Sequence, residues 1–201
     1  MQQSWDADAR IPGSRTSVAE SNEVQLIGLI AGGDRRALEV LYRNYFPRLV
    51  RFLDRMTRNA ALIEEIVNDT MFTVWQKASS FNHSCKVSTW IFAIAYRKAL
   101  KGIRSLDEPL ESDFEEACLD DTQNEPEQDV MYKQLQANVE QALSVLPMEQ
   151  RAVVNLTYYH GMAYGEIAEI MDCPVNTVKT RMFHARRRLK ILLSYQAEDG
   201  E

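Results

Sequence analysis

The segment MDCPVNTVKTRMFHARRRLK, residues 171–190, concentrates side chains that bind nucleic acid. It holds six lysines or arginines and one acid, in a chain of 201 residues whose net charge is −6. Lysine and arginine pair with phosphates, whereas threonine, histidine and aromatic side chains contact base edges and thymine methyl groups. These residue types therefore favour noncovalent recognition of DNA over bond-making catalysis.

Apolar residues at spacings of three and four give this segment one buried helical face. That face consists of Val178, Met182, Ala185, Leu189 and Leu192. The other side chains are then exposed, and no acid between residues 173 and 197 neutralises them. The candidate DNA-binding residues are Asn176, Thr177, Lys179, Thr180, Arg181, Phe183, His184, Arg186, Arg187 and Arg188.

A purely structural helix is the alternative explanation for this pattern. Basic residues near a helix carboxyl end interact favourably with the helix dipole, which accounts for Arg186 to Lys190 without DNA. A solvated helix nevertheless mixes charge signs to gain pairs four residues apart, and this segment does not. The turn Asp172-Cys173-Pro174 lies between a short and a longer predicted helix. This order is typical of a helix-turn-helix, whose second helix enters the DNA major groove.

The charges of the whole chain are unevenly distributed. Net charges are −3 for residues 1–34, +8 for 35–105, −11 for 106–130 and 0 for 131–201. The acidic stretch contains two prolines and little periodicity, which is typical of a disordered linker. As a flexible coil it spans about 25 to 30 Å, which lets two domains lie apart on one large partner.

Helical periodicity predicts an all-α fold of two small helical domains joined by that flexible acidic linker. The predicted divisions are a disordered amino terminus (1–21), a first domain (22–104), the linker (105–130), a second domain (131–195) and a tail (196–201).

Caps and breakers set the predicted helix limits. Ser21 or Asn22 caps a first helix that ends at Ile30, and Asp34 caps a second helix with a kink or break at Pro47. The remaining helices are predicted at 60–78, 89–104, 131–145, 148–159, 163–171 and 175–194.

Composition argues against several other functions. Cys85, Cys118 and Cys173 are far apart and form no C-x-x-C pair, so we expect neither a disulfide framework nor a metal site. No apolar run reaches the roughly 18 to 20 residues that span a bilayer, and the amino terminus lacks a signal pattern, so we expect a cytoplasmic protein. His83 and Cys85 form an H-x-C pair without a second ligand pair, which leaves an enzyme or zinc protein as a remote alternative with no expected cofactor.

Four stretches resemble, in order, regions of bacterial extracytoplasmic-function (ECF) sigma factors of the sigma-70 family. The first stretch, AGGDRRALEVLYRNYFPRLVRFL, resembles the opening of sigma region two. The second, LIEEIVNDTMFTVWQKASSF, resembles the helix of that region that binds core polymerase. The promoter-melting, minus-10-binding helix resembles STWIFAIAYRKAL, and the region-four helix-turn-helix, which binds the minus-35 element, resembles AYGEIAEIMDCPVNTVKTRMFHARRRLK. Together they cover about residues 22–104 and 131–194.

The resemblance implies partners and site residues for each domain. The partners are core RNA polymerase, through its beta-prime clamp helices and beta flap, promoter DNA and an anti-sigma factor, without direct membrane insertion of this chain. The implied polymerase-binding residues are Glu64, Glu65, Asn68, Asp69 and Gln76. The implied minus-10 residues are Phe81, Asn82, His83, Lys86, Arg97, Lys98, Lys101 and Arg104.

Two alternatives remain open at the level of sequence. A stand-alone helix-turn-helix repressor or activator explains the basic segment equally well, but not a basic, aromatic-rich first domain. The acidic linker is either a solvated spacer or a mimic of nucleic acid inside the polymerase. Aromatic residues at helical spacing are more often core than base-stacking, and we expect this of Trp90, as of Met71, Val74 and Trp75.

Overall fold

The computed structural model describes residues 15–107 and 137–198, which form helices and short connections. The first unit contains α1 (Arg15–Ala31), α2 (Arg35–Asp54), α3 (Ala60–Lys77), a 3-10 turn (Ala78–Ser80) and α4 (Val87–Asp107). The second unit contains α5 (137–144), α6 (Met148–Tyr158), α7 (Tyr164–Met171) and α8 (Val175–Glu198). The described residues contain no strand, so the all-α prediction is confirmed. Most of the predicted linker lies outside them.

The amino-terminal helix begins earlier than predicted. Asp34 caps α2 as expected, because its Oδ1 accepts from the backbone N–H groups of Arg36 at 2.8 Å and Ala37 at 3.2 Å. Ser21 and Asn22, however, lie within α1 as exposed residues and do not cap it. The cap prediction was wrong because polar residues on the solvent side of a helix cost only a few tenths of a kcal/mol. The predicted disordered terminus is accordingly helical from residue 15.

Pro47 does not break α2, which continues from Arg35 to Asp54. An internal proline removes one backbone hydrogen bond and costs about 3 kcal/mol. Tyr45, Leu49 and Phe52 are fully buried on either side of it. Burying these large side chains on both halves of the helix offsets that cost. The presence of a proline in the sequence does not by itself reveal this compensation.

The core of the first unit forms where α2 and α3 face each other and α4 closes them. Met71 and Val74 of α3 are buried, and Trp75 is half-buried, so the prediction that they belong to the core is confirmed. The rings of Phe52 and Phe92 meet edge to face at 5.3 Å, which joins α2 to α4.

The second unit has the predicted helix-turn-helix. Asp172 ends α7 in the left-handed conformation (φ 49°), and the N–H of Cys173 donates to the carbonyl of Ala168 at 3.0 Å. This closure satisfies a carbonyl that the end of the helix leaves free and turns the chain into α8. Val178 and Met182 are buried on α8, which confirms the predicted inner face.

The second unit packs directly on the first, with α7 against α4. Residues 91–96 of α4 are all buried. A helix covered on one side alternates buried and exposed positions, so six consecutive buried residues require cover on two sides. The first unit covers one side of α4 and α7 the other. We call this packing the docked arrangement; the charge pattern did not predict it.

Substituting Leu41 by alanine should destabilise the first unit by about 2 to 5 kcal/mol, because the side chain is fully buried and leaves a cavity. Urea unfolding followed by circular dichroism measures this change. Val40→Ala is the matched control, since the neighbouring Val40 is 47% exposed and its truncation should cost less than about 0.5 kcal/mol. Equal destabilisation by both substitutions would contradict the assigned core face of α2.

Candidate nucleic-acid interface

The solvent face of α8 carries most of the predicted DNA-binding residues. Exposed positions are Asn176, Lys179, Thr180, Phe183, His184, Arg186, Arg187 and Arg188. Phe183 is 63% exposed, and its ring stands 5.5 Å from that of His184. An exposed aromatic pair beside basic side chains suits contacts with bases and thymine methyl groups.

Some of the predicted side chains on α8 have partners within the second unit. Arg186 donates through Nη2 and Nε to the hydroxyl oxygen of Tyr158, at 2.8 and 3.1 Å. Arg188 lies 3.4 Å from the amide oxygen of Gln150. Arg181 and Thr177 are half-buried, and Arg181 turns towards Cys173 Sγ at 3.5 Å. These neutral partners orient the guanidinium groups without cancelling their charge.

The loop that precedes α4 presents only part of the predicted minus-10 set. Asn82 and His83 are exposed, and His83 adopts a left-handed conformation (φ 59°) that is uncommon outside glycine. Phe81, expected to face a base, is instead buried, with its ring 5.1 Å from Trp90 and 4.8 Å from His83. Phe81 therefore supports the loop from inside in the docked arrangement.

Lys86 connects this loop to the second unit. Its Nζ lies 2.9 Å from Glu20 Oε1 and 3.3 Å from Glu166 Oε1. The hydrogen bond with Glu20, with a further contribution from Glu166, raises the pKa of Lys86. Glu166 also accepts from the N–H of Ala163 at 2.8 Å, which caps the start of α7. Lys86, a predicted DNA-binding residue, is thus paired with an acid of the helix-turn-helix.

The carboxyl half of α4 carries the other predicted minus-10 residues. Arg97, Lys101 and Arg104 are exposed, and Arg97 Nε donates to a carbonyl one turn earlier in α4 at 3.1 Å. Lys98 Nζ lies 3.0 Å from Asp69 Oδ2 on α3. Since Asp69 is a predicted polymerase-binding residue, the two predicted surfaces adjoin.

The solvent face of α3 brings the predicted polymerase-binding residues together. Glu64, Glu65, Asn68, Asp69 and Gln76 are all exposed on this helix. The hydroxyl of Tyr42 donates to Asn68 Oδ1 at 3.1 Å, which ties the face to α2.

Phe72 is a residue of this face that the sequence reasoning missed. It is 60% exposed, and it lies one turn from both Asn68 and Gln76. The sequence did contain a signal for Phe72, because its position falls outside the stripe of apolar residues that forms the buried face of α3. A large exposed aromatic among polar residues is typical of a protein interface.

Buried polar contacts hold the two units together. Asn155 Nδ2 donates to the carbonyl of Phe52 at 3.1 Å, and Asn155 is almost fully buried. The ring of His160 lies 4.8 Å from that of Phe92 and 6.0 Å from that of Phe52. The turn after α6 therefore inserts a histidine against the aromatic pair that joins α2 to α4.

Further contacts extend this seam along both units. Arg151 Nη1 donates to the carbonyl of Arg55 at 3.3 Å. Tyr96 of α4 is buried, and this burial, followed by the charge of Glu149 in α6, raises the pKa of Tyr96 to about 12. Tyr96 therefore lies beneath the second unit and is not available to stack on a base in the docked arrangement.

His160 is held neutral at this seam. Burial, followed by the positive charges of Arg48, Arg55 and Arg51, lowers the pKa of His160 to about 4. The charged imidazolium is thus disfavoured while the units are docked.

Residues 15–107 and 137–198 show neither a metal centre nor a membrane span. No group of three histidine, cysteine or acidic side chains there lies in a position to hold a metal ion. Cys85 and Cys173 are free thiols, and Cys118 lies outside these ranges. None of the described helices is both long and apolar enough to span a bilayer.

Acidification should weaken the docked arrangement through His160. The docked form binds fewer protons, because the pKa of His160 is about 4 there and returns to about 6.5 when the units separate. The contribution of His160 to docking should be constant above about pH 6.5 and should weaken as the pH falls from 6.5 towards 4. The radius of gyration from small-angle X-ray scattering and amide exchange in α4, both measured against pH, report this change.

His160→Phe is the control for that measurement. It keeps an aromatic ring against Phe52 and Phe92 but removes the titrating group. Both proteins keep the Lys86–Glu166 and Arg58–Glu140 pairs, so their difference reports on His160 alone. The variant should open less on acidification than the wild type, and identical pH profiles would contradict the role of His160.

Known proteins match both units of the chain. The family described as Sigma-70 region 2 matches residues 41–108, and the family described as Sigma-70, region 4 matches residues 136–189. The ECF RNA polymerase sigma factor RpoE of Cereibacter sphaeroides is 32% identical over 160 residues, which cover 78% of this chain and 86% of that protein. The RNA polymerase sigma-H factor of Pseudomonas aeruginosa is 25% identical over 182 residues, covering 86% and 94%.

Solved structures share the fold. CnrH in complex with the cytosolic domain of CnrY matches with a TM-score of 0.65 and 22% identity, covering 87% of this chain and 98% of that chain. The sigma factor RpoE in complex with the anti-sigma factor NepR from Bartonella quintana matches with a TM-score of 0.57 and 24% identity, covering 78% and 98%. With both sigma regions matched in order and a relative 32% identical over most of its length, this chain belongs to the ECF group of the sigma-70 family.

Proposed function

We propose that this chain binds core RNA polymerase and directs promoter-specific initiation, with the first unit at the minus-10 element and the helix-turn-helix at the minus-35 element. The observation that carries the proposal is the exposed basic face of α8, which follows a helix-turn-helix and has no acidic residue between positions 173 and 197. Such a face suits insertion into a major groove.

At the minus-35 element, residues of the first turns of α8 contact bases and later residues contact phosphates. Lys179, Thr180 and His184 are exposed near the leading end of the helix, where a recognition helix meets base edges. Arg187 and Arg188 lie further along and suit phosphate contacts.

At the minus-10 element, we assign DNA contacts to the loop before α4 and the exposed cations of that helix. Lys86 is engaged by Glu166 and Tyr96 is covered by the second unit, so the docked arrangement limits access to this surface. Promoter binding therefore requires the two units to separate, with the length of chain between them setting their reach.

The exposed face of α3 is the proposed contact for the beta-prime clamp helices. Its acidic and amide side chains surround Phe72, and aromatic anchors within a polar rim dominate the energy of many protein interfaces. The second unit contacts the beta flap in this proposal.

An anti-sigma factor is the proposed regulator, because the matched RpoE structure from Bartonella quintana is a complex of a sigma factor with the anti-sigma factor NepR. Such a regulator would act on this chain by covering the same α3, α4 or α8 surfaces. We place the chain in the cytoplasm, where polymerase and DNA are found. Its proposed function is noncovalent recognition of these partners and not enzyme catalysis.

A stand-alone helix-turn-helix regulator is the competing function. It accounts for α8, but it gives no role to the acidic α3 face with an exposed Phe72. A regulator binds duplex DNA tightly without core polymerase, whereas the proposed sigma factor binds its promoter specifically only as part of the holoenzyme.

Phe72→Ala should weaken binding to core polymerase at least tenfold and reduce run-off transcription in proportion, because truncating a central aromatic anchor commonly costs about 2 kcal/mol or more. The measurement uses purified core polymerase, the full chain and fragmented genomic DNA, with affinity determined by fluorescence anisotropy and transcripts by sequencing. Since Phe72 is 60% exposed, the fold should be unaffected.

Val40→Ala is the matched control, since Val40 is an exposed apolar residue on α2 and not on the proposed interface. It should leave core binding and transcription unchanged. If the wild-type protein binds duplex DNA tightly but neither binds core polymerase nor supports specific transcription, the chain is a stand-alone helix-turn-helix regulator. If the protein supports transcription and Phe72→Ala binds core normally, only the assignment of Phe72 is wrong.

Replacing Arg186, Arg187 and Arg188 together by glutamine should weaken holoenzyme binding to every promoter tested and flatten its salt dependence. Each lost phosphate contact reduces the slope of log K against log salt by about 0.9. Arg187 has no side-chain partner within the described ranges, so Arg187→Gln alone should account for about one contact. An unchanged salt slope would exclude phosphate contacts by these arginines.

Substitutions at Lys179 and Thr180 provide the complementary test. Lys179→Ala or Thr180→Ala should change the preferred minus-35 bases by about 1 to 3 kcal/mol while changing the salt slope by no more than one contact. A library of minus-35 sequences bound by holoenzyme and then sequenced measures the preference. Wild-type preference in both variants would show that other residues contact the bases.

A further inference from the structure

A cavity of about 330 Å³ lies at the seam between the two units. Arg48, Arg51 and Arg55 of α2 line one side, and Tyr159 and His160 of the second unit line the other. Because both units contribute, the cavity is complete only in the docked arrangement.

The arginine side of the cavity carries three positive charges, of which, in the part of the chain that the structure describes, only that of Arg48 has an acidic partner, Glu23. Arg48, Arg51 and Arg55 follow one another at spacings of three and four, so their side chains share one face of α2 and repel one another. Among the described residues, none that lines the cavity is acidic. Outside the lining, Glu23 lies 3.7 Å from Arg48 Nη1, longer than a strong charged hydrogen bond.

Two polar atoms of the lining residues lack partners. Arg55 Nε and His160 Nε2 are buried without a hydrogen bond to any described residue. The Arg55 guanidinium lies 3.8 Å from the centre of the Tyr159 ring, which holds it in place. Arg55 Nε is a donor, and buried polar atoms without partners are uncommon in folded proteins and often mark a site that binds a missing group.

We propose that this cavity binds a small phosphate-class polyanion, such as pyrophosphate or the phosphates of a nucleotide, and that the bound anion stabilises the docked arrangement. Guanidinium groups bind phosphate oxygens in pairs of parallel hydrogen bonds, which three arginines on one face can supply. The volume lies at the lower end of the range of about 300 to 1,000 Å³ for small-molecule sites.

Binding at this site is linked to domain separation. A ligand that binds only the docked form shifts the equilibrium towards it by a factor of one plus the ratio of its concentration to its Kd. The anion would thereby reduce access to α4 and the Lys86 loop. The site itself does not depend on the proposed function, since binding can be measured without polymerase or DNA.

The test titrates the full chain with pyrophosphate, ATP and adenosine at constant ionic strength. Calorimetry measures binding, and histidine NMR measures the pKa of His160. Saturable binding of pyrophosphate with a rise in the pKa of His160 is the expected result, because an anion beside the ring favours its charged form. ATP binding tighter than pyrophosphate, with measurable adenosine binding, identifies a nucleotide; equal binding of ATP and pyrophosphate identifies the phosphates alone as the ligand.

Arg51→Gln is the informative variant, with Arg43→Gln as its control. Arg51 lines the cavity and is exposed, whereas Arg43 lies on the same helix and pairs with Glu39. Arg51→Gln should weaken pyrophosphate binding at least tenfold, and Arg43→Gln should not. Equal loss in both variants, or effects reproduced by sodium chloride alone, overturn the proposal. So does a short DNA duplex that shifts the pKa of His160 when pyrophosphate does not, since the arginines would then be DNA contacts.

Discussion

Burial of α4 from two sides is the constraint on which the arrangement of this chain depends. Residues 91–96 are buried without interruption, because α2 and α3 cover one side of the helix and α7 covers the other. The same helix carries the cations proposed to contact the minus-10 element. One helix thus serves as the core of the first unit, as the docking site of the second, and as a candidate DNA-binding surface. Its place in the core of the first unit is compatible with either docking or DNA binding, but docking of the second unit and DNA binding compete with each other.

The composition of the seam suits reversible docking. Asn155 donates to a backbone carbonyl, Arg151 to another, and Lys86 pairs with Glu166. Interfaces between domains of one chain resemble transient protein interfaces, which are more polar than permanent ones. Each of these groups regains water when the units part, so separation costs less than exposure of an equally large apolar core. Apolar burial around Phe92 supplies attraction, and the polar contacts fix the orientation.

The parts that followed from sequence are those governed by local rules. Asp34 as a cap, the turn at Asp172 and the inner face of α8 each depend on residues within one or two turns. The early start of α1 reflects the low cost of polar residues on the solvent side of a helix. The continuity of α2 through Pro47 reflects the burial of Tyr45, Leu49 and Phe52, so the local signals for a cap at Ser21 or Asn22 and for a break at Pro47 did not hold. Docking depends on residues about one hundred positions apart, as with Asn155 and Phe52. The charge pattern indicated two domains and an acidic linker, and it carried no information about that pairing.

The two ends of the seam differ in their electrostatics. At one end Lys86 lies between Glu20 and Glu166, so opposite charges attract across the units. At the other end three arginines of α2 face a histidine whose charged form they disfavour, so the seam is repulsive to any added positive charge. Salt therefore acts in opposite directions at the two ends, because screening weakens the attraction at Lys86 and relieves the crowding of the arginines. An anion bound in the cavity differs from salt, because it neutralises the arginines of α2 without weakening the attraction of Lys86 to Glu20 and Glu166.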